Sequence, residues 1–384
     1  MNRTIRKKGL TLWAFISLEI AIVILAVAIG FFAHRYYQEQ QGDLHLLKQA
    51  RNIVVDNTIN PIPDETTFEY GMIRGMLGTL NDPYTYFVEP APHEVQSNEL
   101  AGSYGGIGAR LEQDTSLNWR LYPFLDSPAS TAGIQDGDLL HQVDDLVVTA
   151  EIDEVTLLAA LRGPVGDSVR LVLERDGEML TFIINRQSIP LPSISYNLLP
   201  EDKRIGLIKI NRIAETTAEE IEEGILDLQM KGGKAMILDL RDNGGGLVEA
   251  GIAISRLFLE KGEILQQQFK DGDVQHFKVE KAGPFSERPL IVLINGNTAS
   301  AAEIVAGALQ YHNRATLIGT PSFGKTTIQY VFDLQDGSSI HVTSGRWWIT
   351  GVDFPISPDI LIATEATQAE FMQTVIEVLR KNLN

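Results

Sequence analysis

Two residue types that do covalent chemistry together stand near one another late in the chain. Ser300 and Lys325 are 25 residues apart, and Gln329 lies four residues beyond the lysine. A serine hydroxyl is a poor nucleophile until a neighbour removes its proton, and a neutral lysine amine can serve as that neighbour. Neutrality requires shielding, since burial disfavours the charged ammonium. Phe323 and the apolar residues after Lys325 are expected to supply it. Gln329 can hold the direction of the amine without adding charge, whereas a carboxylate there would keep the lysine protonated. Two alternatives stay open on residue types alone. A serine at a helix start is ordinarily a cap, and histidine is the commoner base, which brings His312 and His341 into consideration.

The elements around these residues read as alternating strand and helix. Leu290 to Ile294 is a buried-strand pattern, Asn295 to Asn297 a turn, and Ser300 to Leu309 a small-residue helix. Ala315 to Ile318 is a second strand, and a Gly-containing loop then delivers Lys325. Ala299, Ala301 and Ala302 are small enough to admit a peptide, and the Ala301 amide in the first helical turn can face a developing oxyanion. Upstream, Ile205 to Ile210 predicts a strand and Thr217 with Glu220 a capping box. Ala235 to Leu240 is a fully apolar strand of the kind found in parallel sheets, and it empties into Arg241-Asp-Asn-Gly-Gly-Gly246. Ligand sites in such sheets gather at the carboxyl ends of strands. No P-loop lysine follows the glycines, so their amides suit an oxyanion better than a nucleotide phosphate, with Gly245 or Gly246 as donor and Gly246 favoured.

Residues 99–186 have a different character. Glycines and alternating apolar residues at Gly106-Ile107-Gly108-Ala109 precede the strand Leu121 to Leu125 and a short helix at Ser127-Pro-Ala129. A turn at Gly133-Ile-Gln-Asp-Gly-Asp138, a strand Leu139 to Val143, a helix Ile152 to Leu161 and a hairpin closing on Asp176-Gly177 complete a compact α+β unit. This order, with Leu161-Arg-Gly-Pro-Val-Gly166, resembles a PDZ domain. That resemblance implies capture of a peptide C-terminus as an added strand, its carboxylate held by amides of the Gly106 to Ala109 loop.

At the N-terminus four basic residues precede an almost uncharged run of 24 residues, Leu10 to Ala33, interrupted by Glu19. That length suffices for a ~30 Å hydrocarbon core, and the basic flank would stay inside. The expectation is an uncleaved single-pass signal anchor through residues 10–33, with the bulk of the chain extracytoplasmic. Two helices broken at Pro61 and Pro63 follow, the second capped by Asp64. The turn Leu80 to Phe87 then reads as a helix stop with aromatic packing. The net charge of −18 argues against a nucleic-acid partner. No cysteine is present and the seven histidines are scattered, so neither a metal nor another cofactor is expected.

Several motifs together decide between the open readings. Asn297-Thr-Ala-Ser-Ala-Ala-Glu-Ile304, Gly319-Thr-Pro-Ser-Phe-Gly-Lys325 with Gln329, Leu238-Asp-Leu-Arg-Asp-Asn-Gly-Gly-Gly246, Leu80-Asn-Asp-Pro-Tyr-Thr85 and Ser357-Pro-Asp-Ile360 resemble those of the carboxy-terminal processing peptidases, or tail-specific proteases. The resemblance spans about residues 40–362. It implies Ser300 as nucleophile, Lys325 as general base, Gln329 as its orienter, and oxyanion amides from Ala301 and Gly246 or Gly245. It further implies a multi-domain α/β protein: anchor (1–34), helical region (35–98), PDZ module (99–186) and a crotonase-like protease core (187–384), with 80–98 packing on the core. Relatives gate the core through a PDZ arginine, for which Arg162 is the candidate here. Partners would be protein substrates held by their C-termini, together with a homodimer mate or a regulatory protein. The chain departs from the family pattern at Ala302, Thr326 and Trp347-Trp348. The competing functions are a silent PDZ-bearing membrane adaptor and a serine protease that uses His312 as base.

Overall fold

The computed structural model describes Leu25, residues 27–31, 44–363 and 366–381. The chain divides into two units, Met1–Met72 and Ile73–Asn384. In the first, helix α1 (His45–Asn57) is followed by the start of α2 (Glu65–Gly78). Asp64 caps α2 as expected: its carboxylate accepts from the Thr67 amide at 2.8 Å and the Thr67 hydroxyl at 2.9 Å. Arg51 pairs with Glu65 and lies 5.5 Å from the centre of the Phe68 ring.

The anchor expected over residues 10–33 is corrected here. Among the described residues no helix is long and apolar enough to cross a membrane. Most of that run lies outside the described residues. The single-pass membrane placement is accordingly set aside.

In the second unit, β1 (Tyr86–Val88) leads through α3 (Pro90–Ala101) to β2 (Ser103–Gly106). Next come β3 (Ala109–Gln113), β4 (Trp119–Pro123), α4 (Pro128–Thr131), β5 (Asp138–Val143) and β6 (Leu146–Val147). Helix α5 (Glu154–Leu161), β7 (Ser168–Arg175) and β8 (Glu178–Asn185) complete this part. The antiparallel order is β3-β4-β5-β7-β8, with β6 on β5. Leu121, Leu157, Leu171 and Leu173 fill a core of its own. Strand β9 (Gln187–Pro190) returns to pair with β2.

The remainder is the α/β core. Its elements are β10 (Ile194–Leu199), β11 (Asp202–Ile210), α6 (Thr217–Met230), β12 (Ala235–Asp239) and α7 (Val248–Phe258). Strands β13 (Gly262–Phe269), β14 (Gln275–Val279) and β15 (Leu290–Ile294) precede α8 (Ala301–Tyr311). The chain continues with β16 (Thr316–Gly319), β17 (Thr327–Asp333), β18 (Ser339–Trp348), β19 (Ile360–Leu361) and α9 (Gln368–Lys381). One sheet runs β10-β11-β12-β15-β16-β19, parallel from β11 onward. Every residue of β12 and β15 is buried. That follows from helices on both faces: α6, α7 and α8 supply one core cluster and α9 the other. The second sheet runs β1-β18-β13-β14, with β17 on the other side of β18. One expected detail differs. The cap of α6 is Thr216, whose hydroxyl donates to Glu220 at 2.7 Å, while the Thr217 hydroxyl accepts from the Ala214 amide. The tight turn before α6 has put Thr217 inside the first helical turn.

Candidate active site

Three neighbouring parallel strands deliver the site. The carboxyl end of β12 opens into the glycine loop, that of β15 into Ser300, and that of β16 into Lys325. The first two loops are sewn together. Ala299 donates its amide to the Asn243 carbonyl at 2.9 Å. The Thr298 hydroxyl donates to the Leu240 carbonyl at 2.9 Å. The Asn295 and Asn297 side-chain amides both donate to Asp242 at 2.9 Å. Arg241 forks onto the buried Asp239 carboxylate, which fixes the start of the loop.

Ser300 sits at the N-cap of α8 with φ 56° and ψ −122°. A non-glycine residue held there costs about 1–3 kcal/mol and persists only where its surroundings enforce it. The enforcing group is Glu303, fully buried. One carboxylate oxygen accepts from the Ser300 amide at 2.8 Å and the Lys325 amide at 2.9 Å. The other accepts from the Ser322 hydroxyl at 2.6 Å and the Gly324 amide at 2.7 Å. Four donors satisfy a charge that would otherwise be very costly to bury. They also tie the serine elbow to the lysine loop. Glu303 belongs to the quoted motif, yet its role was not read there; a capping-box glutamate three residues after a serine was the available signal.

Gly245 shows how closely the glycine loop approaches. A Cβ on it would lie 2.7 Å from the Ala299 carbonyl oxygen and 2.9 Å from Ser300 Cβ, and its φ is +98°. Its amide donates to Asn243 Oδ1 at 2.8 Å, so it is engaged elsewhere. The amides of Gly246 and Ala301 donate to no protein acceptor among the described residues. An oxyanion would find those two.

Ser300, Lys325, Gln329, Gly245 and Gly246 line one cleft of about 630 Å³. Lys325 is half-buried, and burial lowers its pKa, with Asp82 opposing the shift. The shielding does not come from Phe323, which is 52% exposed. It comes in part from the turn before β1: Lys325 Nζ lies 4.8 Å from the centre of the Tyr84 ring. Asp82 in the same turn is held below the ordinary carboxylate range by hydrogen bonds from Thr343 and Thr85. The turn reaches the site because Tyr86 pairs with His341 across β1 and β18. Its reading as mere aromatic packing is therefore incomplete. Gln329 is in the cleft, but its amide nitrogen donates to the Thr327 and Thr343 hydroxyls at 2.9 and 3.3 Å.

His312 is not part of this cleft's lining. It caps the far end of α8, roughly 18 Å along the axis from Ser300, with its Nε2 bonded to the Glu263 carbonyl at 2.7 Å. Helix geometry thus separates it from the serine. In the β3–β8 unit, Ile107 is buried and its carbonyl accepts from the Ala129 amide at 2.8 Å. Gly106 ends β2, Gly108 has φ +70°, and Ala109 begins β3. The Arg162 guanidinium lies 4.6 Å from the centre of the Tyr104 ring.

A serine on a strained strand-to-helix elbow, free amides beside it and a shielded lysine are the parts of an acyl-transfer site. The sequence model described as peptidase family S41 matches residues 204–362. The chain is 33% identical over 315 residues to a carboxy-terminal-processing protease of Bartonella bacilliformis, covering 78% of this chain and 71% of that one. It is 36% identical over 287 residues to the carboxy-terminal processing protease CtpA of Bacillus subtilis, covering 74% of this chain but only 60% of that relative's length. A solved photosystem II D1 C-terminal processing protease is 28% identical, with a TM-score of 0.46 over 86% of this chain and 90% of that one. The chain belongs to peptidase family S41.

Proposed function

We propose that the protein is a serine endopeptidase that processes polypeptides from their C-terminal tails. The observation that carries this reading is the convergence of Ser300, the unengaged amides and half-buried Lys325 in one cleft. Ser300 Oγ attacks the scissile carbonyl carbon while Lys325 Nζ takes the hydroxyl proton. The carbonyl oxygen becomes an oxyanion held by the Ala301 and Gly246 amides. Collapse expels the amine, which receives the proton from Lys325 and leaves an acyl-serine. Water then attacks the ester, giving its proton to Lys325, and the second collapse returns that proton to Ser300 Oγ. The lowered lysine pKa supports this role, because the base must start neutral.

Residues 99–186 are proposed as the tail-binding PDZ module, with Gly106 to Ala109 as carboxylate loop and Arg162 as the gate. The separate antiparallel sheet with its own core and the left-handed glycine geometry at Gly108 support that assignment. Ser300→Ala and Lys325→Ala test the chemistry against an unfolded casein substrate. Each is expected to abolish cleavage, a loss on the order of 10⁴-fold or more. Parent-level cleavage by either variant would end the Ser/Lys assignment.

A further inference from the structure

A histidine faces the cleft and is unaccounted for by the proposed chemistry. His341 on β18 is 8% exposed and lines the same cleft as Lys325. Its ring stacks on Tyr86 of β1, centroids 4.6 Å apart and planes 16° apart. Its Nε2 is buried with no hydrogen-bond partner among the described residues. A buried nitrogen left without a partner is costly, so one that persists calls for an explanation. The neighbouring His93 of α3 is different: its Nδ1 meets the Ser339 hydroxyl at 2.9 Å and its Nε2 meets Asp333 at 3.0 Å.

The lysine carries the complementary need. A neutral amine that takes the serine proton must point its lone pair at Ser300, and its N–H bonds then need an acceptor to fix that direction. The Gln329 amide nitrogen already serves two threonines, which leaves its Oε1 for one of the two N–H bonds of the neutral amine and the other N–H to be directed. The Tyr84 ring face suits the ammonium rather than a directed N–H. A donor without a directed acceptor and an acceptor without a donor thus line one cleft.

We infer that His341 is a positioning residue for Lys325, its Nε2 accepting an amine N–H when the lysine turns from Tyr84 toward Ser300. This rests on the Ser/Lys reading and adds no proton transfer: the serine proton still passes to Nζ, and His341 stays the neutral Nδ1–H tautomer. The charged and titratable groups around it agree. Burial, His93 and Lys325 all lower the His341 pKa, which keeps it an acceptor at neutral pH. Tyr86 faces it from β1, and burial raises that phenol's pKa, keeping it uncharged.

His341→Phe keeps a ring for the Tyr86 stack and removes the acceptor, while His341→Gln restores an acceptor oxygen. With casein as substrate, His341→Phe should lower kcat at least about tenfold with KM little changed. The acid limb of its pH–rate profile should move to lower pH, since the lost acceptor had favoured the protonated amine. His341→Gln should recover most of kcat. A His341→Phe enzyme with parental kcat and pH profile overturns the inference, as does a His341→Gln enzyme equally impaired. If His341→Phe does not fold, histidine ¹⁵N spectra of Ser300→Ala saturated with a casein peptide decide. There Lys325→Met must shift the His341 Nε2 resonance, and an unmoved resonance overturns the inference. An active Lys325→Ala enzyme would instead remove the Ser/Lys reading itself.

Discussion

The two ends of Lys325 are held by different parts of the molecule. Its backbone is fixed from nearby in sequence, by a fully buried Glu303 that also holds Ser300, Ser322 and Gly324. Its amine lies instead over the Tyr84 ring in the turn Asp82 to Thr85, which the pairing of β1 with β18 brings to the site from more than two hundred residues away. The backbone anchor is built of charge-assisted hydrogen bonds and has little freedom. The amine side consists of a ring face, a carboxylate acting through space and an unpaired imidazole. The first arrangement sets where the lysine is; the second sets whether it is charged and where it points.

Of the two holds on Lys325, the backbone anchor should give the larger effect when disturbed. Glu303→Gln replaces one acceptor oxygen by an N–H₂ group facing donors and leaves at least two of the four unsatisfied. At about 1–3 kcal/mol for each, urea unfolding should show a loss of roughly 2–6 kcal/mol, with cleavage falling at least about tenfold as the Ser300 elbow relaxes. A variant as stable and active as the parent would show that Glu303 anchors nothing.

A smaller and different effect belongs to the amine side. Burial lowers the Lys325 pKa and Asp82 raises it, the former winning. The active form is the neutral amine, so rate rises as pH climbs through that pKa. Asp82→Asn removes the raising influence, and the acid limb should move to lower pH with the alkaline plateau largely kept. A pH–rate profile of kcat/KM reads this directly, and a shift toward alkaline pH would reverse the assigned role.

The smallest effect is expected at the far end of α8. His312→Ala removes one hydrogen bond to the Glu263 carbonyl, worth about 0.5–1.5 kcal/mol in thermal unfolding. Cleavage should stay within about twofold of the parent. A severe loss of turnover in a folded variant would reopen the histidine alternative.

What was legible beforehand follows the range of the interactions. The strands at 290–294 and 235–239, the helix after Ser300 and the hairpin at Asp176-Gly177 rest on local apolar pattern and turn chemistry, and the chain forms them within a few residues of expectation. Asp64 as a cap was legible for the same reason. The lysine's surroundings were not. Phe323, adjacent in sequence, faces solvent, while Tyr84 comes from the other end of the second unit. The apolar run at 10–33 is a converse case. Its hydropathy pointed to a span, but the described residues contain no helix that could cross a membrane.

The reactive types and the loops that carry them are written in the local sequence: a serine at a helix mouth, a lysine after the next strand, glycines at a third strand end. Those features are carried by residues close along the chain, where pattern and backbone preference act directly. Which amides are unengaged, that Glu303 joins the two loops, and that the amine lies over Tyr84 near Asp82 in a cleft that His341 also lines emerge only in the folded chain. The placing of Asp82, Tyr84 and His341 depends further on a strand pairing across more than two hundred residues, and the burial that tunes a charge exists only once those strands have met.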